Sequence, residues 1–330
     1  MELIPLFKPQ SIFSAVLIAL LVASSSVSQA ASNVVINLGS PFKSGHILCD
    51  ASEKFKEIIE KESSGRILVK LQFGTKSEEE INDLCNQGTI DIQANSPRPI
   101  EVYAPQYFFI NNPYVMKDFD HFLRVWNGPL GQKAKAIIEN KGNMIYAGVV
   151  SRGLRQMTTT KPIYAPDDVN NLKLRLPVNK TWIAVWKAIG VKPVPVLLTE
   201  IYKALKEGTA EASEGDLTQI ASMNLNEVQS YLIITNHHVQ TGGLVINKTF
   251  FDKLSKADQE LVLRAVKEAC DWANLYMKSY ETKTLIDLQQ KGMRVIIPDA
   301  DALRAKAKPA IEELFKTEWP VTTWKEVLAQ

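Results

Sequence analysis

Residues 34–73 read VVINLGSPFKSGHILCDASEKFKEIIEKESSGRILVKLQF, and this stretch decides the class of fold. The runs 34–38 and 67–73 are short and rich in β-branched residues, which is typical of strands. Between them, 45–61 repeats its apolar residues at helical spacing. A strand, a helix and a second strand of these lengths predict parallel strands joined by a crossover, so we expect an α/β fold with a mainly parallel sheet.

The same alternation continues along the chain and extends the predicted α/β pattern. The length of 330 residues suggests about two domains, each with its own core. We expect further strands at 90–94, 144–150, 172–176, 191–196, 231–239 and 244–247, and further helices at 77–85, 180–189 and 200–206.

One later segment differs in scale. Residues 255–291 contain neither Pro nor Gly, and Gly292 follows. Ser255 with Asp258 three residues on is typical of a helix start, and a glycine is typical of its end. A single helix here would be roughly 54 Å long, enough to cross two domains as a shared spine. The alternative is two helices broken near Asn274 or Thr282.

The N-terminal thirty residues predict export. Residues 12–23 form an almost unbroken apolar run, and Ser28 and Ala30 provide small residues before a cleavage site after Ala30. The run is too short to span a bilayer easily, although a membrane anchor is the alternative. We therefore expect a signal peptide at 1–30 and a soluble, monomeric mature protein in the periplasm.

Charge, cysteines and motifs restrict the function. With 38 Lys+Arg against 36 Asp+Glu there is no basic excess, so we predict no nucleic-acid partner.

Cys49, Cys85 and Cys270 have no metal-site spacing; either all are buried thiols, or Cys49 and Cys85 form a disulfide. We find no catalytic, phosphate-binding or metal-binding motif, and we predict neither enzyme activity, a cofactor nor a metal. His237 and His238 are adjacent on a predicted strand, so we expect one inside and one at the surface.

The most informative stretch follows Val150. Residues 153–177 read GLRQMTTTKPIYAPDDVNNLKLRLP, 188–196 read AIGVKPVPV and 200–208 read EIYKALKEG. In order and spacing, these closely resemble the substrate-binding proteins of tripartite ATP-independent periplasmic (TRAP) transporters, the dicarboxylate-binding family. The resemblance covers essentially the whole mature chain.

The resemblance implies a bilobed receptor that closes on an organic acid and delivers it to a TRAP membrane permease. Lobe I would comprise 31–150 with about 240–275, and lobe II 151–239 with about 276–330. Arg175, in the Lys-x-Arg-x-Pro strand, would pair with the ligand carboxylate, for which a guanidinium is well suited. Arg155 would supply a second contact, or alternatively pair with Glu214.

Other positions are expected to line the pocket. The family usually continues with an Asp-Gly-Gln-Glu-Asn run after the Glu-x-Tyr helix, whereas 211–216 read EASEGD. Glu214 is retained, and Gly215 replaces the Asn, which would leave space or a water position. The remaining candidates are Asn179, Trp182, His46, Lys43 and Asn95.

Two other functions are compatible with these patterns. A bilobed receptor could serve an ATP-driven importer, because the fold does not reveal its permease. An exported enzyme acting on an organic acid is a second alternative, although no nucleophile and base pattern supports it.

Overall fold

Two strands, Met144–Thr159 and Tyr231–Asn247, are much longer than the sequence predicts. The structure is a computed structural model that describes residues 33–330, so the predicted signal peptide lies outside the described residues. The strands are β1 Val34–Ser40, β2 Ile67–Phe73, β3 Ile92–Asn95, β4 Met144–Thr159, β5 Lys173–Leu176, β6 Lys192–Pro195, β7 Ala212–Asp216, β8 Tyr231–Asn247 and β9 Arg294–Ile296.

Helices connect these strands and cover the sheet. They are α1 Ile47–Glu62, α2 Glu78–Gln87, α3 Arg98–Tyr103, α4 Phe119–Asn127, α5 Pro129–Gly142, α6 Lys180–Ile189, α7 Ile201–Lys206, α8 Leu217–Ser222, α9 Lys248–Lys253, α10 Lys256–Gln290, α11 Ala300–Thr317 and α12 Trp324–Leu328. Short 3₁₀ segments lie at Pro105–Asn111, Pro166–Val169, Leu198–Glu200 and Leu225–Glu227. Among residues 33–330, no helix combines the length and apolar character that crossing a bilayer requires.

All strands belong to one mixed sheet. Its order is β2-β1-β3-β8-β4-β7-β5-β6, and β9 pairs with β8. The pairs of β1 with β2 and β3, and of β5 with β6 and β7, are parallel, as predicted. The central pairs β3–β8, β8–β4 and β4–β7 are antiparallel, so the prediction of a mainly parallel sheet is wrong at the centre.

The two long strands β4 and β8 give the fold its bilobed form. Near one end, β8 pairs with β3, which continues into β1 and β2. Near the other end, β4 pairs with β7, which continues into β5 and β6, and β8 pairs with β9. The molecule is therefore an α/β protein of two lobes that share two strands, and Asn33–Gln330 forms one compact unit.

The shared strands are irregular where the lobes meet. The β4–β8 pairing shifts register between Ser151 and Leu154, and Gly153 has a φ of 78°. The long helix α10 supplies hydrogen bonds at this irregularity. The Ser151 N–H donates to Asn274 Oδ1 over 2.6 Å, and the Leu154 N–H donates to Glu281 Oε1 over 3.1 Å.

Helix α10 is continuous over 35 residues, so the single helix is correct and the break near Asn274 or Thr282 does not occur. Ser255 caps it by accepting a hydrogen bond from the Asp258 N–H over 3.1 Å, as the sequence predicts. The helix packs against α1 and β4, and also against α8, so it touches elements of both lobes.

The three cysteines are free and buried, so the predicted alternative of a Cys49–Cys85 disulfide is not formed. The physical reason is their position in two separate hydrophobic clusters. Cys49 belongs to the cluster that contains Phe55 and the α10 residue Val266, whereas Cys85 belongs to the cluster that contains Ile90 and Trp126.

Candidate functional site

A partly open cavity of about 50 Å³ lies between the lobes. It is bounded by the first turns of α2, α6 and α8 together with strands β4, β5 and β8. Its lining residues are predominantly polar: Glu78, Glu79, Ser96, Pro97, Arg98, Glu101, Phe108, Asn111, Arg152, Arg155, Arg175, Pro177, Asn179, Trp182, Leu198, Gln219 and Gln240.

Arg175 is the cavity arginine that lacks an acidic partner among the described residues. Strand β5 carries it, and its side chain is 2% exposed. Its Nε and Nη2 donate to the Val196 carbonyl oxygen over 2.9 and 2.6 Å. Burial lowers the pKa of Arg175 to about 10, although Glu214 opposes the shift. One buried guanidinium is therefore held by a neutral carbonyl and faces the cavity without an ion-pair partner in the described part of the chain.

Arg155 forms the ion pair with Glu214 that the sequence left as the alternative to ligand contact. Its Nε and Nη2 both donate to this carboxylate, the latter over 2.7 Å. His237 Nε2 lies 3.1 Å from Glu214 Oε2. Burial alone would raise the pKa of Glu214, but the charge of Arg155 and the contact with His237 hold it well below its usual range. Glu214 thus lies behind Arg155 as a permanent anion.

Arg152 forms a second buried pair, with Asp216. Its Nε and Nη2 donate to Asp216 Oδ2 over 3.0 and 2.6 Å, and its Nη1 donates to Ser96 Oγ over 2.7 Å. Its Nη2 is also 3.3 Å from Gln219 Oε1. Burial alone would raise the pKa of Asp216, but the charge of Arg152, together with that of Arg155 and the hydrogen bond from Thr218, holds it well below its usual range. Asp216 also caps α8, so the pair fixes the start of that helix beside the cavity.

Asn179 and Trp182 line the cavity from the first turn of α6. Asn179 caps this helix, with Oδ1 accepting from the Trp182 N–H over 3.0 Å, and its amide donates to Glu101. The indole N–H of Trp182 donates to the Asn111 carbonyl over 2.7 Å. The Arg155 guanidinium lies 5.1 Å from the ring centre of Trp182, so the indole also supports the arginine.

Besides Glu214, three predicted pocket residues lie outside the lining. The His46 side chain is fully buried, stacks on Phe42 and approaches Asp216 at 3.8 Å, so it lies behind the Arg152 pair. Asn95 is also fully buried, and its amide donates to the Glu78 carbonyl and to Gln93. Lys43 is exposed. The structure thus brings Arg155, Arg175, Asn179 and Trp182 together around the cavity, with Glu214, His46 and Asn95 behind it.

Gly215 does not leave an open space. A Cβ atom at Gly215 would lie 2.8 Å from Nε2 of Gln219, so the Gln219 side chain occupies the place beside the glycine. The expectation of space or a water position is corrected accordingly. The reason is that α8 begins directly after β7 and turns Gln219 back over the end of the strand.

His237 and His238 are both buried, at 1% and 2% exposure, so the expectation of one surface histidine is wrong. Asn236 adopts a φ of 44°, and β4 and β8 shift register here. This bulge breaks the alternation of side chains, and both imidazole rings pack against α6, His237 on Trp186 and His238 on Trp182.

The lining residues that sequence reasoning missed include Arg152, Gln219, Gln240 and Glu78. A signal for Gln219 was present, because Asp216 with Gln219 three residues on is typical of a helix start at the end of a strand. Glu78 has no hydrogen-bond or ion-pair partner for its side chain among residues 33–330, and it begins α2. Nothing local marks Arg152 or Gln240 as cavity residues, since their positions depend on the pairing of β4 with β8.

The fold and the cavity define a bilobed ligand-binding protein. The chain belongs to the family of bacterial extracellular solute-binding proteins, family 7, whose family model matches residues 38–318. The resemblance drawn from the sequence is thereby confirmed.

Individual relatives agree with this assignment. A solute-binding protein of Roseobacter denitrificans is 30% identical over 79% of this chain and 81% of its own length. The sialic acid-binding periplasmic protein of Vibrio cholerae is 26% identical over 90% of this chain and 92% of its own length. A crystal structure of a TRAP periplasmic solute-binding protein from Roseobacter denitrificans OCh 114, with bound L-galactonate, aligns with a TM-score of 0.82 at 26% identity and covers 91% of this chain and 100% of that one.

Proposed function

We propose that this protein is an extracytoplasmic receptor that binds a small carboxylate in the cavity between its lobes. Arg175 is the observation that carries the proposal. A buried guanidinium whose polar contacts within residues 33–330 are limited to the Val196 carbonyl oxygen is costly, and a ligand carboxylate would compensate it through two parallel hydrogen bonds. The relative from Vibrio cholerae and the Roseobacter structure carry names that include sialic acid and L-galactonate, and both compounds are carboxylic acids.

A thermal-shift screen of carboxylates tests the proposal. The mature chain is first unfolded and refolded, which removes any carboxylate bound during expression. A ligand that binds only the folded state raises the melting temperature by mass action. We expect at least one carboxylate to do so in the wild type but not in Arg175→Gln. If no carboxylate stabilises the wild type, the proposal fails.

The receptor would deliver its ligand to a TRAP-type permease and would not transform it. The similar crystal structure is a TRAP periplasmic protein, which favours a TRAP permease over an ATP-driven importer. An exported enzyme would change the acid, so mass spectrometry of the acid after prolonged incubation should return it unchanged. Binding of purified permease subunits by the loaded receptor would support delivery, and equal permease binding without ligand would argue against it.

The proposed boundaries follow the shared strands. Lobe I would contain 31–150 with about 240–275, and lobe II 151–239 with about 276–330, so the chain crosses near the irregularity of β4 at Ser151. We also propose that 1–30 are removed during export to the periplasm and that the mature protein is a monomer. Intact mass of the exported protein and light scattering test these two statements.

A further inference from the structure

The side-chain amide of Gln219 has a hydrogen-bond partner for its oxygen atom but none for its nitrogen atom in the described part of the chain. Its Oε1 faces Arg152 Nη2 at 3.3 Å. A guanidinium has only donors, so the atom facing it must be the amide oxygen. The Nε2 is consequently directed away from Arg152, and it has no hydrogen-bond partner among residues 33–330. Gln219 is 2% exposed, so this free donor is buried in the cavity lining.

The backbone holds this donor in place. The Gln219 N–H donates to Asp216 Oδ1 over 2.8 Å, which fixes the residue in the first turn of α8. Gly215 provides the room, because a Cβ atom there would lie 2.8 Å from Nε2. The Gln219 amide is therefore held in place with an unused N–H donor. An oxygen atom of a bound molecule would be the acceptor for this donor.

The charges around the cavity restrict what that oxygen can be. The lining carries four arginines and three glutamates, and Glu214 and Asp216 stand behind Arg155 and Arg152. Four positive charges against five negative charges leave a formal charge of −1. Arg98 contacts Glu79 and Glu101, so among residues 33–330 Arg175 is the cavity guanidinium without an ion-paired carboxylate. Glu78 forms no ion pair within the same residues, although its charge acts on Arg152, Arg155 and Arg175.

A ligand with one carboxylate matches this distribution, whereas a second carboxylate does not. The first pairs with Arg175. A second carboxylate near Gln219 would meet an uncharged amide and an arginine already paired with Asp216, so it would find no unpaired cation there among the described residues. The formal charge of −1 around the cavity would also disfavour a second negative charge. Glu78 can instead accept a hydrogen bond, and a hydroxyl group both accepts from an amide and donates to a carboxylate.

We infer that Gln219 is a specificity-determining residue, and that the ligand is a monocarboxylate with uncharged oxygen substituents, one of which accepts a hydrogen bond from Gln219 Nε2. This inference rests on the proposed function, because it takes the carboxylate to lie on Arg175. A hydroxy acid fits both free groups of the cavity, since its hydroxyls can face Gln219 and Glu78. A keto acid fits the Gln219 donor alone.

Matched acids of equal chain length test the ligand class. Erythronate, tartrate and butyrate have four carbons, and galactonate, galactarate and hexanoate have six; each set offers a hydroxy monocarboxylate, a hydroxy dicarboxylate and an unsubstituted monocarboxylate. On refolded mature chain, we expect at least one hydroxy monocarboxylate to raise the melting temperature more than its two matched acids. If a dicarboxylate or an unsubstituted acid is the better ligand, this inference fails while the proposed function stands. If none of the six stabilises the protein, the inference fails, and the broader carboxylate screen decides the proposed function.

Variants test Gln219 itself by calorimetry. Gln219→Leu should weaken the hydroxy monocarboxylate about tenfold or more, while leaving the unsubstituted acid unaffected. Gln219→Glu keeps an acceptor for Arg152 but loses the donor, and should weaken binding further by repulsion. Gln229→Leu removes a buried amide outside the cavity lining and should change neither affinity. Unchanged affinity in both Gln219 variants would overturn the assignment.

Discussion

Arg175 lowers the stability of the folded protein through its buried charge and would provide the contact for the ligand carboxylate. Its guanidinium is buried and has no carboxylate partner in the part of the chain that the structure describes, so Arg175→Gln should leave the ligand-free protein at least as stable as the wild type. The same change should weaken carboxylate binding by about 30- to 3,000-fold, because truncating a buried charge pair costs roughly 2–5 kcal/mol. Calorimetry measures the affinity and melting curves measure stability. Arg175→Lys is the matched control, and it should also weaken binding, since an ammonium lacks the planar fork.

Arg155 should behave in the opposite way. It holds the buried carboxylate of Glu214, so Arg155→Ala leaves an uncompensated charge and should cost about 3–5 kcal/mol of unfolding free energy. Urea denaturation measures this loss, and a double variant with Glu214→Gln should recover much of it. If Arg155→Ala removes the ligand-induced rise in melting temperature but keeps the stability of the free protein, then Arg155 acts as a ligand contact and the ion pair is unimportant.

His46 provides a pH-dependent term. Burial, followed by the charge of Arg152, lowers the pKa of His46 to about 3. In the unfolded chain the imidazole titrates near 6.5, so between these values the unfolded state binds more protons and stability falls as the pH falls. The slope from one such group is at most about 1.4 kcal/mol per pH unit.

His46→Asn isolates this term. Asparagine can still accept from the Leu48 N–H and cap α1, but it does not titrate. His237 and His238, whose pKa values burial also lowers, remain in both proteins. Urea denaturation from pH 7 to pH 5 should therefore give a shallower loss of stability in the variant. Parallel profiles would contradict the assigned protonation state of His46.

At the scale of elements, the irregularity in β4 depends on a glycine. Gly153 has a φ of 78°, and a Cβ atom there would lie 2.0 Å from Glu281 Oε1. Gly153→Ala should therefore strain the backbone and displace Glu281 from the Leu154 N–H, at a cost of about 1–3 kcal/mol. Gly208→Ala is a matched control, because it also has a positive φ but nothing near its Cβ position. Equal losses of unfolding free energy in the two variants, measured by urea denaturation, would show that the contact with Glu281 adds nothing to the cost of the Gly153 substitution.

The apolar pattern of the sequence predicted those helices and strands whose burial follows a regular period. It failed where strand length or the position of a side chain depends on residues distant in sequence. The helix at 180–189 and the strand at 67–73 have the predicted bounds. Strands β4 and β8 are longer than predicted because glycines interrupt the apolar pattern of both, together with arginines in β4 and uncharged polar residues in β8. Arg175 and Arg155 could be proposed from a family resemblance, whereas Arg152 and Gln219 reach the cavity only through Asp216, a partner distant in sequence from Arg152.

At the scale of the whole molecule, we predict hinge closure around the ligand. The two lobes share β4 and β8, and α10 contacts the irregularity through Asn274 and Glu281, so rotation there needs few dihedral changes. A ligand favours the closed form through contacts that exist only when both lobes meet. Small-angle scattering should give a smaller radius of gyration at saturation. An unchanged curve at saturation would argue against closure.

The buried cysteines make this motion accessible to fluorescent labelling. Burial raises the pKa of all three thiols to about 12, so at neutral pH they carry almost no reactive thiolate. A dye that reacts with thiols would consequently not label the cysteines of the native protein. One cysteine introduced at an exposed site on each proposed lobe, such as Lys43 and Lys203, would then accept a donor and acceptor dye pair without removal of any native cysteine. The receptor is thus already suited to conversion into an optical sensor for its own ligand.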